Sequence, residues 1–171
     1  VNLRPAAFVD RDGVLNKRPG AGWVLTPEDL VVLPHAAEGL RALRATGYVI
    51  VVVTNQRSVA LGRLTEETLA RIHARLEQVL GEAGATIDRI EHCPHDDPDG
   101  CACRKPRPGM LLRAAEALGL DLARSVLIGD DPRDLAAGEA AGVPVRVLLP
   151  SDGDLRVAVA EVARAVSAPS R

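Results

Sequence analysis

Asp10-Arg11-Asp12-Gly13 sets two carboxylates two residues apart, directly after the apolar run Ala6 to Val9. At a strand end such a pair can stand side by side, with Gly13 letting the backbone bend. Asp130-Asp131-Pro132-Arg133-Asp134 adds acids after a second apolar run. Hard carboxylates from two strand ends suit Mg²⁺, which offsets their repulsion and binds a phosphate dianion. Taken singly, Asp10 and Asp12 could be a turn and Asp130 a helix cap. A softer cluster lies between them. Cys93-Pro94-His95 and Cys101-Ala102-Cys103 offer three thiolates and one imidazole, the closed tetrahedral set of structural zinc. The alternatives are buried or free thiols, or a redox pair, although no cysteine pair has the two-residue spacing of redox motifs. A metal with four protein ligands keeps no position open for catalysis. Its job would be to fold the loop 93–105 and so to fix Arg104 and Lys105, which follow the last ligand.

The elements that must hold these groups alternate. Strands are expected at Ala6–Val9, Tyr48–Val53, Ile87–His92, Ser125–Gly129 and Val143–Leu149, most of them rich in β-branched or apolar residues. Helices are expected from His35 to Ala45, from Thr65 as N-cap to about Gly81, and over Gly109–Leu118, Pro132–Ala141 and Asp154–Val166. Leu25 to Leu33 reads as loop with a short strand, and Ser167 to Arg171 as a frayed tail. Alternation of this kind means a parallel α/β sheet with right-handed crossovers. In such sheets ligands bind outside the carboxyl ends of the strands. Asp10, Thr54, Cys93 and Asp130 all fall at those ends, which is the main argument from the residues for an enzyme.

Composition narrows the partners. The chain has 171 residues, enough for one domain over 1–171, with 47% apolar residues to fill its core. A net charge of −2 and only 2% aromatics argue against nucleic acid, as partner or as stacked single strand. No apolar run is long enough to span a bilayer, and Val1 to Pro5 has no signal-peptide form. A soluble, cytoplasmic monomer acting on a small molecule is expected. Of 21 basic residues only Lys17 and Lys105 are lysine, so a retained lysine hints at a need for a compact ammonium charge.

Asp10-x-Asp12-Gly13, Thr54-Asn55-Gln56, Lys105 and Gly129-Asp130-x-x-x-Asp134 resemble, in order and over nearly the whole chain, the motifs of the haloacid dehalogenase superfamily of phosphatases. The resemblance implies a Rossmann-like three-layer sandwich with a mainly parallel sheet and no large cap domain. It implies Asp10 as nucleophile forming an aspartyl-phosphate, and Asp12 as general acid and then base. Thr54 and Lys105 would stabilise the phosphoryl group. Mg²⁺ would sit on Asp10, Asp12 (through its carbonyl) and Asp130, with Asp134 orienting. Zn²⁺ would sit on Cys93, His95, Cys101 and Cys103. Asn55, Gln56, Arg57 and Arg104 would meet the substrate.

The stretch from Cys93 to Leu111, with Arg104-Lys105-Pro106 and Pro108-Gly109-Met110, is similar to the heptose-bisphosphate phosphatases of that superfamily. The implied reaction is hydrolysis of the 7-phosphate of D-glycero-D-manno-heptose 1,7-bisphosphate. Histidinol-phosphate phosphatases, which share the zinc loop, are the alternative. A non-catalytic, zinc-stabilised binding module is a second. The chain departs from the heptose pattern in segment 57–61, where a glycine is lost and an arginine moves. It also departs at Asp131, where many members have lysine. Lys17 and Arg18 could compensate, or form a solvated surface pair. Trp23 could line the pocket mouth. His35, His73 and His92 are poor ligand candidates, and Asp96, Asp97 and Asp99 read as solvated turn residues.

Overall fold

The computed structural model describes residues 3–20 and 22–168. Five parallel strands lie in the order β3-β2-β1-β4-β5, with β1 at Ala6–Val9, β2 at Val49–Asn55, β3 at Arg89–Cys93, β4 at Val126–Gly129 and β5 at Val145–Leu148. Their helices are α1 (Ala36–Ala45), α2 (Arg57–Ala60), α3 (Glu66–Glu82), α4 (Gly109–Leu118), α5 (Pro132–Ala140) and α6 (Leu155–Ser167).

Strand side chains alternate between two cores, as a period of two requires. Ala7, Val9, Ile50, Val52 and Ile128 face α1, α3 and α6. Ala6, Phe8, Val51, Val53 and Leu127 face α4 and α5. Both faces of the sheet are therefore covered, which explains the unbroken apolar runs of β1 and β2. The edge strand β3 is blunted by charge, for Glu91 accepts from Arg89 at 2.6 Å and from Arg113 at 2.9 Å. Chain order runs outward from β1 to β3, returns to β4 and runs outward again to β5. The crevice between β1 and β4 is thus a topological switch point.

Several boundaries differ from expectation. Thr26-Pro27-Glu28-Asp29 closes a capping box around a 3₁₀ turn at Pro27–Asp29, where a short strand was expected; only an isolated bridge joins Val32 to Asn16. The one-turn helix α2 was not expected. Helix α6 includes Ser167, and residues 169–171 of the expected frayed tail lie outside the described residues.

Candidate active site

Lys105 is the anchor of the switch-point crevice. The residue is 3% exposed, and its ammonium has three acceptors for its three protons. Nζ lies 2.8 Å from Asp10 Oδ1, 2.5 Å from Asp134 Oδ1 and 2.9 Å from the Val53 carbonyl. Burial would favour the neutral amine, but the charges of Asp10 and Asp134 outweigh it and raise the pKa. The other oxygen of Asp134 accepts the backbone N–H groups of Asp130 and Asp131, at 3.1 and 3.0 Å. Both oxygens of Asp134 are thus committed to holding neighbours. Asp10 is pushed up to about 7, chiefly by burial, against the pull of Lys105 and with the push of Asp134 and Asp12.

Asp12 is surrounded by donors. Arg11, Asn16 and Gln56 all donate to its carboxylate, Asn16 Nδ2 at 2.9 Å and Gln56 Nε2 at 3.1 Å. Burial would raise its pKa, yet the Arg11 charge and these bonds hold it below the usual carboxylate range. Gln56 Nε2 also reaches Thr54 Oγ1 at 2.9 Å. Asn55 clasps the Lys105 main chain, accepting its N–H at 3.0 Å and donating to its carbonyl at 3.2 Å. Of the expected substrate contacts Asn55 and Gln56, Asn55 lines the site cavity and holds the Lys105 main chain, and the Gln56 amide holds Asp12.

A cavity of about 270 Å³ opens above this floor. Asp10, Asp12, Thr54 and Lys105 reach it from below, and Arg18, Arg57, Arg104 and Arg133 line it above, with Trp23 at the mouth. Each arginine is held by an aspartate. Arg18 forks onto Asp130 at 2.8 and 3.1 Å, and Arg57 pairs with Asp96 at 2.7 Å. Arg104 pairs with Asp97 at 2.6 Å and Arg133 with Asp131 at 3.0 Å. Asp96 and Asp97 are therefore not simply solvated turn residues, although Asp96 and Asp99 do cap a 3₁₀ turn at Asp97–Asp99. Asp131 caps α5 through the Arg133 N–H at 2.9 Å, and the Arg133 side chain holds its carboxyl near pKa 2. Arg133 was missed in the sequence, although an aspartate cap two residues before an arginine on a strand-end helix is a readable signal.

Carboxylate oxygens of Asp10, Asp130 and Asp134 lie within 4.8 Å of one another, a donor set fitting a hard divalent cation. Gly13, at φ 87°, makes room for it, because a Cβ there would collide with the Asp130 carboxylate. The Asp12 side chain is outside this cluster.

The soft cluster forms at the end of β3. One ligand atom from each of Cys93, His95, Cys101 and Cys103 lies within 4.8 Å of the others, and the three cysteines are unpaired. His95 Nδ1 is 3.2 Å from Cys103 Sγ and 3.5 Å from Cys93 Sγ. Three thiols and an imidazole nitrogen so gathered suit zinc. His92 is not among them; its Nε2 lies 2.8 Å from Glu66 Oε2.

A parallel sheet with carboxylates and one buried lysine at its switch point is an arrangement that phosphoric monoester hydrolases use. The chain belongs to the haloacid dehalogenase-like hydrolases, whose family model matches residues 6–142. It is 38% identical over 153 residues to the D-glycero-beta-D-manno-heptose-1,7-bisphosphate 7-phosphatase of Vibrio cholerae, covering 85% of this chain and 81% of that one. It is 38% identical over 151 residues to the D-glycero-alpha-D-manno-heptose-1,7-bisphosphate 7-phosphatase of Photorhabdus laumondii, covering 84% and 81%. A crystal structure of D,D-heptose 1,7-bisphosphate phosphatase from Bordetella bronchiseptica, complexed with magnesium and phosphate, superposes with a TM-score of 0.80 at 36% identity, covering 92% of this chain and 86% of that one. No helix among the described residues is long and apolar enough to cross a membrane.

Proposed function

We propose that this chain hydrolyses the 7-phosphate of D-glycero-D-manno-heptose 1,7-bisphosphate through a phosphoenzyme on Asp10. The observation that carries the reading is Lys105 bridging Asp10 and Asp134 beneath an arginine-lined cavity. Lys105 fixes one oxygen of Asp10 and leaves the other to attack phosphorus. Arg11, Asn16 and Gln56 favour the ionised Asp12 carboxyl in the free protein, so its proton enters with the substrate monoanion. As the phosphorus–oxygen bond to the sugar breaks, Asp12 passes that proton to the leaving oxygen. Asp12, now a carboxylate, takes a proton from water as that water attacks phosphorus, and Asp10 and inorganic phosphate are released. Lys105 and the Thr54 hydroxyl stabilise charge on the transferring group. Asp10, Asp130 and the Asp12 main chain would hold Mg²⁺, and Asp134 orients the loop and Lys105. When bound, the ion lowers carboxylate repulsion and neutralises phosphoryl charge. The Cys₃His cluster would hold Zn²⁺ and thereby fix Arg104 and Lys105.

The rim favours a bisphosphate over histidinol phosphate. Four guanidinium groups line the cavity, each paired with an aspartate, and the N–H donors those pairs leave free suit a second phosphate. Arg133, ion-paired with Asp131, lines the cavity beside the position where many members have lysine. The intact Asp10–Lys105–Asp134 set gives a non-catalytic binding module no support. Competing heptose bisphosphate against histidinol phosphate in one assay, with Asp10→Asn beside wild type, tests the reading. Preferred turnover of the bisphosphate by wild type, with none by the variant, is expected. Preference for histidinol phosphate, or equal rates in the two proteins, would overturn it.

A further inference from the structure

Arg11 is the largest of the fully buried side chains, yet the proposed chemistry gives it no task. Its guanidinium spans two elements. Toward the site, Nε lies 3.2 Å from Asp12 Oδ1, and one terminal nitrogen lies 3.0 and 3.1 Å from the two carboxylate oxygens. Away from the site, the other terminal nitrogen lies 3.2 Å from Nε2 of His73. His73 stands in the middle of α3, far off in sequence. Arginine can only donate, so His73 Nε2 accepts and its ring is neutral. Burial, followed by the Arg11 charge, pushes His73 down to about 3, which agrees with that state. Behind it the His92 ring packs at 5.7 Å, itself tied to Glu66 in the first turn of α3.

We infer that Arg11 and His73 are positioning residues for Asp12, a prop from α3 that sets the carboxyl which must hand a proton to the leaving oxygen. The planar fork is what allows this. It grips both oxygens of the adjacent residue while its third nitrogen is fixed by His73, so Asp12 keeps one conformation with an edge open to the cavity. Lysine carries the charge but cannot reproduce the grip. The inference rests on the reading of Asp12 as general acid, and it makes proton delivery depend on a helix outside the pocket.

The leaving group provides the test. A sugar alkoxide needs a proton to depart; p-nitrophenolate does not. In the Mg²⁺-loaded full chain, kcat/KM would be measured for an alkyl phosphomonoester and for p-nitrophenyl phosphate, in wild type, Arg11→Lys, His73→Leu and His73→Gln. Glutamine restores an acceptor near the place of Nε2. For Arg11→Lys and His73→Leu, the alkyl ester should lose about 10- to 100-fold while the aryl ester changes by no more than about threefold. His73→Gln should recover most of the alkyl rate. An equal fall for both esters, or an unchanged alkyl-to-aryl ratio, would overturn the inference, since a merely structural role moves both alike. Should Arg11→Lys fail to fold, the two His73 variants decide. A wild type inactive on both esters would bring down the phosphatase reading and this inference with it; an active wild type with an unmoved ratio would bring down this inference alone.

Discussion

Two clusters of residues able to hold a metal ion stand at the carboxyl ends of the strands of one sheet, and they are built in opposite ways. The Cys₃His set comes from a single short stretch, Cys93 to Cys103, with all four ligand atoms turned on each other. The carboxylate set comes from residues 10, 130 and 134, brought together only because β1 and β4 are neighbours. The first is soft, closed and local, so it can stabilise a loop but has no vacant direction for chemistry. The second is hard, linked to Lys105 and open to a cavity. The two meet in the chain, since Cys103 is followed at once by Arg104 and Lys105. With zinc bound, one cluster would set the backbone from which the other takes its lysine.

Separate perturbation of the two should therefore give opposite signatures. Asp10→Asn should lower kcat by ~10⁴-fold or more with no loss of thermal stability, because it removes a buried carboxylate that burial already disfavours. Steady-state kinetics beside a thermal melt checks both halves; a melting point that falls with the activity would erase the contrast. Cys103→Ser, or stripping of zinc, should do the reverse in order. Tm should fall first, by roughly 10 °C, and activity should follow as Lys105 loses its support. Metal analysis and calorimetry on the same samples measure this.

Removing Mg²⁺ should abolish turnover reversibly, with a smaller change in Tm than zinc removal produces. The pH profile sharpens this point. The metal-free pKa of Asp10 lies near 7, above its usual value, so below that pH the folded protein holds a proton that Mg²⁺ must displace. At limiting Mg²⁺ the acid limb of kcat/KM should fall near pH 7, and saturating Mg²⁺ should move it lower. The same raised value means that Asp10 stabilises the metal-free fold when protonated, an effect lost as pH rises through about 7. An acid limb indifferent to Mg²⁺ would detach Asp10 from the ion. The smallest effect belongs to the rim. Arg133→Ala should raise KM for a bisphosphate about tenfold, as loss of one charge-assisted contact implies, while leaving p-nitrophenyl phosphate within about twofold. Equal effects on both substrates would place Arg133 outside the second-phosphate contact.

The local cluster was fully legible in the sequence, because four ligands within eleven positions need no fold to bring them together. The carboxylate set was legible only through strand ends and the family motifs. Its electrostatic wiring was not. The pairing of Arg11 with His73 joins a β1 turn to the interior of α3, and no spacing rule connects residues so far apart. The family resemblance implies Asn55 and Gln56 as substrate contacts, but it says nothing of what else their amides hold. Their amides turn to the Lys105 main chain and to Asp12, partners fixed only by tertiary packing. Asp131 looked like a lost cation in a one-residue reading. Two residues later Arg133 lines the same cavity, with Asp131 as its ion-pair partner.

Whether Asp10 carries the phosphoryl group is the question closest to the centre. The Asp12→Asn variant should accept the group from p-nitrophenyl phosphate but release it slowly, because it has no base to activate water. Acid-quenched samples, digested and analysed by mass spectrometry, should show one added phosphoryl group on the peptide containing Asp10, and none when Asp10→Asn is added to the variant. Turnover without any adduct, or an adduct on a different residue, would contradict the account.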